Sequence, residues 1–136
     1  MLRGANPLRN PVEAFIGVGS NQNGPRKRCA EAVDRLRGME GIRRLACSPW
    51  YTTAPVGPMD QPDFVNGVVR VETVLEPCAL LNGLVAIAAA MGRERGLRWG
   101  PRVIDLDLLL FGDLVREERD LSVPHPEMKR RRFVLA

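Results

Sequence analysis

The period of the apolar positions switches repeatedly along the chain, and the switches divide it into elements. In EAFIGVGSN (13–21) a short apolar run ends in Gly19, Ser20 and Asn21, which predicts a buried strand feeding a turn. PRKRCAEAVDRLRG (25–38) places Cys29, Ala32, Val33 and Leu36 at helical spacing, with Pro25 in the first turn and Gly38 as a stop. GIRRLACSPWYTT (41–53) predicts a second strand, and the proline-rich loop APVGPMDQP (54–62) leads to a third, DFVNGVVRVET (63–73). There Phe64, Asn66, Val68, Arg70 and Glu72 alternate imperfectly with Val65, Val69 and Val71. EPCALLNGLVAIAAAMGRER (76–95) predicts a second helix from Pro77 to Gly92, and RVIDLDLLLFGDLV (102–115) a fourth strand that turns at Gly112 and Asp113.

Strand, helix, strand, strand, helix, strand is the split βαβ order of an α+β, ferredoxin-like fold. Its sheet is antiparallel, with both helices packed on one face. The first twelve residues, MLRGANPLRNPV, hold two prolines, a glycine and two asparagines and are expected to form a flexible or extended leader, with a single domain over 13–136. Fold order alone assigns no activity.

At 136 residues and 45% hydrophobic content the chain suits one compact domain. Its formal charge is +4 and nearly all the positive charge is arginine, Lys27 and Lys129 being the only lysines. Guanidinium forks match phosphate oxygens, so the balance suits a nucleotide or a nucleic acid without choosing between them. Cys29, Cys47 and Cys78 are far apart, odd in number and without CxxC spacing, so they are expected to be buried free thiols. The longest apolar run, Leu84 to Met91, is far short of a membrane span, and the start of the chain carries no signal-peptide pattern.

One stretch resists a purely structural account. In IDLDLLL the acids Asp105 and Asp107 are two apart, so on a strand they share a face while Ile104, Leu106 and Leu108 point the other way. A bare pair of this kind more often faces solvent. Here Arg98, Trp99 and Arg102 lie just upstream, Gly100 and Pro101 force a bend between them, and Arg93 and Arg95 lie further back on an expected mobile loop. Hard Mg²⁺ binds through one or two carboxylates with phosphate and water completing its shell, and arginines take up charge on a transferring phosphoryl group. His125, the only histidine, sits between Pro124 and Pro126 on an expected rigid turn before the basic run Lys129–Arg132. Asn66 interrupts a valine-rich strand, either to pair with backbone or to read the edge of a heterocycle, and Phe64 two residues earlier either stacks on that ring or packs in the core.

Together IGVGSN, YTTAPVGPMDQPDFVN, RWGPRVIDLDLLLF and VPHPEMKRRRFVL resemble the 6-hydroxymethyl-7,8-dihydropterin pyrophosphokinase family, from about Ala14 to Ala136. The resemblance implies a ferredoxin-like fold and pyrophosphate transfer from ATP to the pterin hydroxymethyl group with two Mg²⁺ ions, yielding AMP and the pterin diphosphate for folate biosynthesis. It implies that Asp105 and Asp107 hold the metals, and that Arg93 and Arg102 act catalytically with Asp107. Arg95, Arg98, Trp99, Arg102, Ser122, His125 and Arg131 match the ATP side, and Thr53, Val56, Phe64, Asn66 and Phe133 the pterin side. The chain departs from the family pattern at Ala54, Ala88 and Pro126, and the resemblance implies a C-terminus shorter than usual.

A nucleic-acid-binding sheet is the competing class. It calls for stacked aromatics, which make up only 5% of this chain, and leaves the two aspartates unexplained. The resemblance implies ATP and the pterin as partners; neither nucleic acid nor membrane is expected, and the expected state is a cytoplasmic monomer.

Overall fold

The computed structural model describes residues 9–55, 60–92, 103–114, 116–118 and 121–123, the last two segments as backbone. Strand β1 (Val12–Ser20) leads into helix α1 (Pro25–Arg37), then come β2 (Ile42–Cys47), β3 (Tyr51–Thr53) and β4 (Phe64–Thr73). Helix α2 (Pro77–Ala90), β5 (Asp105–Phe111) and a hairpin of β6 (Arg116–Glu118) and β7 (Leu121–Val123) follow. The main sheet runs β2-β4-β1-β5 with β3 also paired to β4, and every pairing is antiparallel. This is the expected α+β order, with β1 and β4 at the centre of the sheet.

Alternation along the central strands divides the sheet into two faces. Ala14, Ile16 and Val18 of β1, Val69 and Val71 of β4, and Leu106 and Leu108 of β5 are buried in one apolar cluster. The helices complete it with Cys29, Ala32, Val33 and Leu36 from α1 and Leu80, Leu84 and Ala88 from α2. Ala88 lies in this apolar cluster, a setting that would penalise a charge. Both helices start with proline in the first turn, where no N–H is needed, and α1 is entered through Asn23 and Gly24 at positive φ.

The structure corrects three expectations. The second strand breaks into β2 and β3 at Ser48–Trp50, because Pro49 has no N–H to continue the ladder. Ser48 closes the gap: its N–H donates to the Val68 carbonyl at 2.9 Å, and its Oγ accepts from the Val68 N–H at 2.9 Å. Residues 9–12 are not loose leader. β1 already begins at Val12, and the Arg9 guanidinium donates to the Leu75 carbonyl (3.1 Å) and Glu76 (2.8 Å) while lying over the Phe111 ring. Of the cysteines only Cys29 is buried; all three are free, but Cys47 lies on edge strand β2 and Cys78 in the first turn of α2, both exposed. Among the described residues no helix is long and apolar enough to cross a membrane.

Candidate functional site on the helix-free face

The outer positions of the central strands carry the chemistry. In β1 these are Glu13, Phe15, Gly17 and Gly19, so the half of the strand nearest its C-terminal end has no side chain on this face. Gly19 lies opposite Asn66 of β4 on one side and Asp105 of β5 on the other. Gly17 lies likewise between Val68 and Asp107. Register therefore builds two rows across the sheet, Tyr51–Asn66–Gly19–Asp105 and Val68–Gly17–Asp107.

Neither glycine has positive φ, and it is Gly19 that is needed for room. A Cβ on Gly19 would lie 2.7 Å from Asn66 Oδ1, and one on Gly17 would touch, at 3.4 Å, Leu109, which alternation places on the same face as Asp105 and Asp107. The two glycines were not among the residues singled out as chemical from the sequence. The signal was there: two glycines two apart inside a predicted strand mark a place where something approaches the backbone closely.

Asn66 is 5% exposed, and its side-chain amide donates to Thr53 Oγ1 on β3. Its amide thus pairs with a neighbouring side chain, where the sequence left a backbone partner or a heterocycle edge open. Phe64, paired with Thr53 at the end of the same ladder, is half-buried and stands apart from the apolar cluster under the helices. Just beyond β1, the buried Asn21 donates through Nδ2 to Gln61 Oε1 at 2.8 Å and to the Pro62 carbonyl at 3.0 Å. The other end of this face is occupied by ion pairs between exposed groups, Arg70 with Glu13 at 3.7 Å and Arg44 with Glu72 at 3.9 Å.

Asp105 and Asp107 are both half-buried on one face of β5, as their spacing predicts, while Leu106 and Leu108 enter the core. Among the described residues no cluster of three or more His, Cys, Asp or Glu could hold a metal by itself. Two carboxylates above side-chain-free glycines nevertheless fit Mg²⁺, a hard ion that takes few protein ligands and completes its shell with substrate oxygens and water.

The structure brings together Asp105, Asp107, Asn66, Phe64 and Thr53 on one face. Ser122 falls on β7, opposite Glu117, in a hairpin the sequence did not predict because its strands are three residues each. Val56, Arg93, Arg95, Arg98, Trp99, Arg102, His125, Arg131 and Phe133 lie outside the described residues, as do Gly100, Pro101 and Pro126.

The family model for 7,8-dihydro-6-hydroxymethylpterin-pyrophosphokinase matches residues 15–136. The chain belongs to this family. Among its relatives, the 2-amino-4-hydroxy-6-hydroxymethyldihydropteridine pyrophosphokinase of Pseudomonas aeruginosa is 46% identical over 89% of this chain and 75% of its own length. The Haemophilus influenzae protein of the same name is 39% identical over 91% of this chain and 78% of its own length. That of Pseudomonas putida is 41% identical over 86% of this chain and 97% of its own length. In this family member one face of the sheet is free of helices, and the two rows across β4, β1 and β5 place an amide and two carboxylates on it.

Proposed function

We propose that this pyrophosphokinase transfers the pyrophosphoryl group of ATP to 6-hydroxymethyl-7,8-dihydropterin, and that the two substrates meet over Gly17 and Gly19. The observation that carries the reading is the register that sets Asn66 and Asp105 on opposite sides of Gly19. On the Asn66 side a buried amide and the Thr53 hydroxyl offer donors and acceptors to a heterocycle edge, with Phe64 next to them to cover its face. On the Asp105 side two carboxylates would hold Mg²⁺, two ions in this proposal, against the polyphosphate. The bound ions supply charge neutralisation at the phosphate oxygens.

The hydroxymethyl oxygen attacks the β-phosphorus in line, the bond from that phosphorus to the oxygen shared with the α-phosphate breaks, AMP leaves, and the hydroxyl proton is released. The chain contributes alignment rather than a covalent intermediate: holding both reactants in a near-attack arrangement removes much of the entropic barrier. Arg93 and Arg102 are assigned to the transferring charge. Arg95, Arg98, Trp99, Ser122, His125 and Arg131 are assigned to ATP, and Val56 and Phe133 to the pterin beside Thr53, Phe64 and Asn66.

The test is direct. Protein incubated with ATP, Mg²⁺ and 6-hydroxymethyl-7,8-dihydropterin is expected to release AMP and pterin diphosphate in equal amounts, and a folded protein that releases no AMP would sink the reading. Asp107→Ala is expected to lower turnover by on the order of 10³-fold or more with an unchanged circular dichroism spectrum. Full turnover in that variant refutes the metal assignment.

A further inference from the structure

Asn21 is a buried amide, 2% exposed, that belongs neither to the strand ladder nor to the apolar core. Its Nδ2 donates to Gln61 and Pro62, joining the end of β1 to the far leg of the β3–β4 loop across 40 and 41 residues of chain. That leg ends at Phe64. Because β3 is only three residues long, Thr53 and Phe64 form the last pair of its ladder, and a terminal pair on so short a strand is where local opening starts.

We infer that Asn21 is a positioning residue for the pterin half of the site. By pinning Gln61 and Pro62 to the end of β1, it keeps the Thr53–Phe64 end of the hairpin closed, and with it the Thr53 hydroxyl on Asn66. The inference rests on the proposed function for the identity of the ligand, but the contact itself is independent of it. ATP is assigned to a different strand and to residues 93–102, so loosening this clamp separates the two substrates kinetically.

The test compares steady-state constants for AMP release by Asn21→Ala and Gln61→Ala with those of the unaltered protein. Both variants are expected to raise KM for the pterin by on the order of tenfold, the scale of one or two neutral hydrogen bonds, while KM for ATP stays within about twofold. Gln61→Glu, which still accepts from Asn21 Nδ2, is expected to retain most of the pterin affinity. Asn21→Asp, which cannot donate to the Pro62 carbonyl, is expected to raise the pterin KM as well. Should Asn21→Ala fail to fold, Gln61→Ala, altered at a half-buried loop side chain, carries the test alone. If Asn66→Ala weakens the pterin and the clamp variants do not, or if both KM values rise together, the inference is overturned while the proposed function stands. If the unaltered protein makes no AMP, both fall.

Discussion

Gly19 shows how much one missing methyl group decides. With Asn66 Oδ1 only 2.7 Å from where its Cβ would stand, Gly19→Ala must displace the amide that contacts Thr53. The expected outcome is a drop of at least about tenfold in kcat/KM, carried by the pterin, because a small misplacement of a positioning group is costly; kinetics at varied pterin concentration read it. Cys29 makes a different point. Burial pushes its thiol from 9.0 up to about 12, with the nearby Cys47 adding to the rise. The exposed Cys47 is also raised by desolvation, against the pull of Arg37. In the native protein a thiol reagent is expected to label Cys47 and Cys78 and spare Cys29, which should react only on unfolding. Mass spectrometry of the labelled chain distinguishes the three.

At the scale of elements, short strands depend on contacts that do not belong to their ladders. β2 and β3 are bridged by the Ser48 hydroxyl and by Trp50, whose ring lies so close to Gly67 that an added Cβ would meet it at 2.6 Å. An indole packed against the core cannot simply rotate away, unlike the flexible end of Met39 that faces Gly83 on α2. Gly67→Ala is therefore expected to destabilise the fold by about 1–3 kcal/mol, as overpacking does. Urea denaturation gives the midpoint shift, and a loss under a few tenths of a kcal/mol would mean that Trp50 relocates freely. Arg9 plays the corresponding part for the start of β1, tying it to the entry of α2 through Leu75 and Glu76.

Over the whole molecule the sheet divides its faces, helices and apolar cluster on one, Asn66 and the two aspartates on the other, and the buried thiol ties stability to pH. Cys29 is protonated in the fold up to about 12 but loses its proton above 9.0 once unfolded. Between those values the unfolded state binds fewer protons, so stability is full below 9.0 and falls as pH rises through this window. Thermal melts are expected to show the decline, and Cys29→Ala, although less stable at neutral pH from the smaller side chain, should show a shallower one. Alternation and helical spacing by themselves determined the element order, the core positions Cys29, Ala32, Val33 and Leu36, and the shared face of Asp105 and Asp107, because these depend on the local periods of helix and strand. The break at Pro49 and the β6–β7 hairpin were not legible at that level, since strands of three residues have too few positions to show a period. Only the tertiary structure decided that Gly19 lies between Asn66 and Asp105 and Gly17 between Val68 and Asp107, and that Asn21 reaches Gln61. Those relations are set by cross-strand register and by loop closure over forty residues, and neither is written in the neighbourhood of any one residue.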